Sequence, residues 1–322
     1  MGMLVDGRWT DEDVRNTAKD GSFQRVESKF RDVVTADGAS GFKAEPGRYH
    51  LFVAHNCPWA HRAVMFRTLK KLEDVVGMSV SDRPKLHGWG YSAGIDGMKP
   101  SDDGTFYLYQ VYQAADPAIT SRVTVPTLWD RKKRTVVNNE SSEIIRMLNS
   151  AFDAWGDASL DFYPEALRPE IDRVNEMVYA GLNNGVYRAG FARTQDAYDA
   201  AVARVFETLD AMEAILGRRR YLAGDRPTEA DWRAFATLVR FDQVYHTHFK
   251  CNKKRIADYA NLSNYTRELY QHPGIAGTVN MAEIKSGYFG NMPHINPTGI
   301  VAIGPELDLD APHDRARLPA AA

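Results

Sequence analysis

An α/β domain followed by an all-helical domain is the fold this sequence predicts, on three observations. The run from Tyr49 to Ser81 reads as strand, turn, helix and strand. Two more strand-like runs and a helix follow the proline at 126. From about 165 to 280 the pattern is helical. A chain of 322 residues is long enough for two such domains. Its 44% hydrophobic and 25% charged residues describe a globular protein, not a disordered or fibrous one.

Lys+Arg 40 against Asp+Glu 42 gives a net charge of −2, which argues against a polyanion as the main partner, so no nucleic acid is expected. The Arg131-Lys132-Lys133-Arg134 run sits between two strand-like stretches and reads as a solvated hairpin turn. The two cysteines, Cys57 and Cys251, make no disulfide framework. The start lacks the apolar core of a signal peptide, and no apolar run is long enough to span a bilayer. The expectation is a reducing, cytoplasmic setting with no membrane partner.

Residues 1–48 mix charge, glycine and isolated aromatics. They are expected to wrap the first domain, with one short helix near Thr10–Thr17. The first domain runs over 49–152. Leu51-Phe52-Val53 is a strand, Asn56-Cys57 its turn, and Pro58 to Leu72 a helix, with proline in the first turn where its missing N–H costs nothing. Val75 to Ser81 is the second strand, and a helix joining two strands implies a parallel βαβ unit. Residues 83–120 read as a long irregular loop, and loops of that size are often functional. Val123 to Asp130 and Thr135 to Asn139 form a hairpin, and Glu140-Ser141-Ser142-Glu143 opens a helix through Leu148. The order β-α-β, loop, β-β-α is a thioredoxin-like layout.

The second domain, 165–288, is expected to be all helical, with helices near 165–183, 196–216, 229–249 and 257–271. Thr228-Glu229-Ala230-Asp231 is a strong start signal, because the threonine hydroxyl and the acidic side chain can each satisfy an orphan N–H. Residues 289–322, with Pro293, Pro297, Pro305 and Pro312, read as an irregular tail.

The chemistry centres on Cys57. A cysteine at a helix N-terminus sits beside unpaired N–H groups and the positive end of the helix dipole, and both favour the nucleophilic thiolate. Alanine at 60 occupies the place of a second thiol, so a mixed disulfide on Cys57 needs a thiol from solution, such as glutathione, to resolve it. Val125-Pro126 is the candidate strand entry facing the cysteine, and the sequence leaves its peptide bond cis or trans. Glu140-Ser141 stands at a helix start, where N–H groups and a hydroxyl can hold a carboxylate. Cys251 reads as structural. His246 and His248 point to different helix faces, and no metal is expected.

The run Asn56-Cys57-Pro58-Trp59-Ala60-His61-Arg62, with Gly88-Trp89-Gly90, Arg122 to Pro126 and Glu140-Ser141, resembles the glutathionyl-hydroquinone reductases, the xi class of glutathione transferases. Asn184 to Ala192, Arg240 to Asn252 and Lys285-Ser286-Gly287-Tyr288 fit the same family. The likeness covers about residue 5 to 295. It implies a thioredoxin-like N-terminal domain, an all-α glutathione-transferase C-terminal domain and a homodimer. It also implies that Trp89, Arg122, Val123, Thr124, Val125, Pro126, Glu140 and Ser141 bind glutathione. Cys57 is then the nucleophile, Tyr187 the proton donor or acceptor, and Tyr245 and Tyr288 lie near the cysteine and lower its pKa. Glutathione and glutathionylated hydroquinones are the expected substrates. Neighbouring readings are an omega-like thioltransferase or dehydroascorbate reductase, and a ligand-binding protein without turnover.

Overall fold

The computed structural model describes residues 2–12, 17–83 and 87–318. These fall into two units: residues 2–12 with 26–160, and residues 17–25 with 161–318. The N-terminal extension, expected to wrap the first domain, is therefore divided: 17–25 belongs to the second unit. In the first unit it supplies an antiparallel hairpin of β1 (Met3–Val5) and β2 (Arg8–Thr10), and a parallel pair of β3 (Val34–Thr35) and β4 (Phe42–Lys43). Of the helix expected near Thr10–Thr17, Thr10 closes β2, Thr17 bridges to Phe23, and residues 13–16 lie outside the described residues.

β5 (Tyr49–Val53) is one of the two inner strands of the first unit's main sheet. Leu51, Phe52 and Val53 are buried, each contributing roughly 2 kcal/mol of hydrophobic stabilisation. α1 (Pro58–Leu69) begins at the proline and stops three residues before the expected Leu72. Lys71 takes the left-handed conformation (φ 55°), which ends the helix. β6 (Gly77–Val80) then pairs parallel with β5, completing the βαβ unit.

The stretch 83–120 is not the loop expected. It holds a hairpin of β7 (Gly90–Tyr91) and β8 (Phe106–Tyr107), then α2 (Leu108–Ala115). Leu108, Val111 and Tyr112 form the buried face of α2, and Gln110 caps it by accepting the Tyr107 N–H. The helix is only eight residues long and rich in tyrosine, so it carries too few turns to stand out by periodicity.

β9 (Thr127–Asp130) pairs antiparallel with β5, and β10 (Thr135–Asn138) pairs antiparallel with β9, giving the order β10-β9-β5-β6. The turn between β9 and β10 is set by Asp130, whose Oδ1 accepts the Lys132 and Lys133 N–H groups at 2.9 and 3.1 Å. The buried Asp130 carboxylate is itself paired with Arg48 at 2.6 Å. α3 (Ser141–Ser150) follows and packs on α1.

The second unit is helical: α4 (Arg168–Val178), α5 (Gly185–Gly190), α6 (Gln195–Leu216), α7 (Glu229–Arg240), α8 (His246–His248), α9 (Ala260–Tyr270) and α10 (Met281–Gly290). Two expected helices are interrupted. A π turn at Tyr179–Asn183 follows α4, and another at Phe241–Tyr245 separates α7 from α8. Both are held by long-range bonds that no local period encodes. Asn183 Nδ2 donates to Arg233 O and Thr237 Oγ1, and Asp242 accepts the Ile256 and Ala257 N–H groups. α5 and α10 were not expected as helices. α5 spans only six residues between glycines, and Gly287 and Gly290 weaken the local signal of α10. No described helix is long and apolar enough to cross a membrane.

The start of α7 follows its sequence signal. Buried Asp231 accepts the Thr228 N–H (2.8 Å) and hydroxyl (2.9 Å), the Leu222 N–H (2.9 Å) and the Tyr265 hydroxyl (2.6 Å). Asp231→Ala strands all four donors in the core. It is expected to destabilise the protein by about 3 kcal/mol or more in urea unfolding, against about 1 kcal/mol for loss of an exposed cap.

Candidate active site

Strand register brings three loops of the first unit together. Phe52 pairs with Thr127, so the chain leaving β5 toward Cys57 runs beside the chain entering β9 through Val125-Pro126. Asn138 pairs with Leu128, which delivers the start of α3 to the same end of the sheet. A register shift between Val136 and Asn138 turns the backbone there.

Cys57 is half-buried and is the N-cap of α1, with extended backbone (φ −83°, ψ 117°). Its carbonyl accepts the His61 N–H, and its Sγ lies 3.4 Å from the Val125 carbonyl, to which the thiol donates. The Val125-Pro126 bond, which the sequence left open, is cis.

Glu140 is the N-cap of α3. One carboxylate oxygen accepts from the Ser142 N–H (3.1 Å) and hydroxyl (2.9 Å), and the other accepts from the Ser28 hydroxyl (3.2 Å). Ser141 is buried, and its Oγ accepts from Arg62 Nη1 at 3.3 Å. The Arg62 guanidinium lies over the Trp59 ring, 4.6 Å from its centroid, which ties the first turn of α1 to the first turn of α3. Trp89 is half-buried just before β7, and its carbonyl accepts the Leu108 N–H at the head of α2. Gly88 before it has φ 89°, and a Cβ there would come within 2.9 Å of the Trp9 ring. Arg122 is half-buried, and Val123 and Val125 are buried.

Tyr112 holds this loop from below, and sequence reasoning missed it with the rest of α2. Its hydroxyl accepts from the Thr124 N–H (3.3 Å) and from Asn139 Nδ2 (3.0 Å), and Asn139 also donates to Thr124 Oγ1 (3.1 Å). The Leu108, Val111, Tyr112 spacing was the available signal. Arg62 was also missed; its place one turn after Trp59 was its signal.

The three named tyrosines meet in the second unit. Tyr288 hydroxyl is 2.5 Å from that of Tyr187 and 2.9 Å from that of Tyr245. Tyr187 sits on α5, Tyr245 ends the second π turn and Tyr288 is on α10. Burial, then the neighbouring Tyr187 and Tyr245, push the Tyr288 hydroxyl well above the usual tyrosine range, so it stays protonated and bridges the other two. Phe249 stacks on Tyr245 and meets Tyr187 and Phe191 edge-on or tilted. Arg25, from the N-terminal segment, lies over the Tyr187 ring at 5.0 Å and donates from Nε to Asn184 Oδ1 at 2.8 Å. Among the described residues no cluster of histidine, cysteine, aspartate or glutamate has the makings of a metal site. Cys251 is buried, and burial pushes its thiol up to about 12, so it carries no thiolate.

A monothiol at the head of a helix beside a cis-proline loop, on a four-stranded mixed sheet, together with an all-helical second unit, defines a glutathione-transferase-type protein. Residues 56–151 match the glutathione S-transferase N-terminal domain and residues 195–268 the C-terminal domain. The glutathionyl-hydroquinone reductase YqjG of Escherichia coli is 52% identical over 98% of both chains, and its glutathione-bound structure superposes with a TM-score of 0.86. The glutathionyl-hydroquinone reductase PcpF of Sphingobium chlorophenolicum is 52% identical over 96% of this chain and 98% of its own. A xi-class transferase of Natrialba magadii, 46% identical, superposes with a TM-score of 0.89 over 99% of this chain and 98% of its own. The chain belongs to the glutathione S-transferase family, in its xi class of glutathionyl-hydroquinone reductases.

Buried His248 and half-buried His50 give the two units the same sense of pH dependence. Burial, then the Lys250 charge, lowers His248 to about 4; burial, then the Arg131 charge, lowers His50 to about 4. Between pH 4 and the ordinary 6.5 the unfolded chain binds more protons than the folded one. This stability is present above pH 6.5 and lost as pH falls toward 4. Urea midpoints are expected to drop across that window, and His248→Phe, which keeps the aromatic packing on Phe289, to drop less steeply.

Proposed function

We propose that the protein removes glutathione from glutathionyl-hydroquinones, yielding the hydroquinone and glutathione disulfide, with Cys57 as the nucleophile. What supports the reading most directly is a single arrangement: Cys57 caps α1 beside the cis-Pro126 loop, with alanine at 60 in place of a resolving thiol. Two relatives 52% identical over almost the whole chain carry that activity in their names.

Glutathione binds with its cysteinyl backbone paired to the Val125 N–H and carbonyl, taking over the carbonyl that the Cys57 thiol now occupies. Its γ-glutamyl carboxylate takes the Ser141 hydroxyl and main-chain N–H at the head of α3, and its ammonium takes the Glu140 carboxylate. Trp89, Arg122, Val123 and Thr124 complete the cradle. With glutathione seated on Val125, Cys57 is released from its donor role and acts as a thiolate.

The Cys57 thiolate attacks the thioether sulfur of the substrate. A Cys57–glutathione S–S bond forms and the aryl C–S bond breaks, its electron pair going to the ring carbon through the keto tautomer. Tyr187 supplies the proton to that carbon and regains one from solvent. Tyr288, held protonated by burial, and Tyr245 orient the Tyr187 hydroxyl. A second glutathione thiolate then attacks the glutathionyl sulfur of the mixed disulfide and restores the Cys57 thiolate. The net exchange consumes one glutathione per substrate. A homodimer and a reducing, cytoplasmic setting that supplies glutathione belong to the same proposal, on the likeness to the family.

Turnover of a glutathionyl-hydroquinone under excess glutathione tests the reading. Cys57→Ser is expected to lose activity by at least roughly a thousandfold and to take up no glutathionyl mass from glutathione disulfide. A serine variant with full turnover would refute the mechanism. Tyr187→Phe is expected to slow quinol release by about a hundredfold while still forming the Cys57 adduct from glutathione disulfide. Faster turnover of dehydroascorbate than of the quinol conjugate would favour an omega-like thioltransferase instead.

A further inference from the structure

The residues after α10 have no part in the proposed reaction, yet their path is closely tied down. Asn296 Nδ2 donates to the Phe289 and Ile300 carbonyls at 2.8 and 2.9 Å, folding the chain back beside the end of α10. Lys285 Nζ, one turn before Tyr288 on α10, donates to the Ile303 carbonyl at 2.8 Å. Gln243 Nε2, in the π turn that ends at Tyr245, donates to the Pro305 carbonyl at 2.5 Å. Gln271 Nε2, just past α9, donates to the Leu309 and Ala311 carbonyls, both at 2.8 Å.

The segment ends in an anchor. Arg315 is fully buried, and its guanidinium donates to the carbonyls of Leu216, Arg219 and Arg220 at 2.8, 2.7 and 2.7 Å. A cation at the carbonyl end of α6 satisfies acceptors that the helix itself cannot. Apolar burial does not hold the middle of the segment, since Ile300 is 70% and Ile303 97% exposed. The donors on Lys285, Gln243 and Gln271 hold it by its main chain, and the Arg315 side chain fixes its end.

We propose that residues 291–315 form a strap that positions the tyrosine cluster, with Lys285 and Gln243 as positioning residues and Arg315 as its anchor. Within three residues, 303 to 305, the strap bonds to the two elements that carry Tyr245 and Tyr288. It thereby limits how far these elements separate and keeps the Tyr245–Tyr288 hydroxyl pair, and through it the Tyr187 hydroxyl, in register. The role in turnover rests on the proton-donor reading of Tyr187; the mechanical role does not.

The test compares the full-length protein with Arg315→Ala, Lys285→Met and Lys285→Arg by hydrogen exchange and by kinetics, at a temperature where each remains folded. Lys285→Met keeps side-chain length and leaves the Arg315 anchor intact, so it reports even if the Arg315 variant fails to fold. Amides of 241–249 and 281–290 are expected to exchange roughly tenfold faster in the Met and Ala variants, with Lys285→Arg restoring protection. Quinol release should slow several-fold while adduct formation at Cys57 from glutathione disulfide is unchanged. Faster exchange confined to 214–222 and 260–270, or no change, would overturn the strap, leaving Arg315 a local clamp. If Tyr187→Phe slows turnover but both strap variants turn over normally, the positioning role fails and the tyrosine assignment stands. If Tyr187→Phe has no effect, that assignment has failed, and the exchange pattern alone decides the strap.

Discussion

The antiparallel seat of β9 between β5 and β10 is the constraint on which the first unit's site depends. Because β5 and β10 both run opposite to β9, the end of each lies beside the start of β9. The Cys57 turn, the cis-Pro126 loop and the head of α3 therefore share one end of the sheet. A slip of one residue would turn the side chains of a strand to the opposite face and remove the pairing that brings Val125 within 3.4 Å of the thiol.

Around that register the sequence builds a frame of buried polar contacts. Arg62 links Trp59 to Ser141, and Tyr112 with Asn139 holds the Thr124–Pro126 loop. Each is buried in surroundings where an unmatched polar group costs more than a matched one contributes. These side chains fix where the reactive groups stand without taking part in the chemistry. The helical unit uses the same device. Asp231 gathers four donors at the start of α7, Asn183 and Asp242 hold the two π turns, and Arg315 closes the end of α6.

The tyrosine cluster follows from those π turns. Widening the helix at Phe241–Tyr245 places Tyr245 at the break, where its hydroxyl meets Tyr288, and the turn at Tyr179–Asn183 precedes the short helix that carries Tyr187. Extra residues in a helical turn are common at functional sites because they re-aim side chains that a regular helix would direct elsewhere.

Much of this was legible in the sequence. Pro58 one residue after Cys57 located the start of α1, alanine at 60 established a monothiol, and Thr228 with Asp231 located the start of α7, because capping and first-turn preferences are local in the chain. The motifs around Trp89, Glu140, Tyr187 and Tyr288 carried the family. What lay beyond reach depends on residues far apart in sequence. α2 was hidden because its stability comes from burying Val111 and Tyr112 rather than from its own periodicity. The π turns, the meeting of three tyrosine hydroxyls and the anchoring of the tail by Arg315 are set by partners at least 14 residues away in the chain, and no local signal separates cis from trans at Pro126. Local chemistry determined which residues are reactive; only tertiary packing decided what each of them touches.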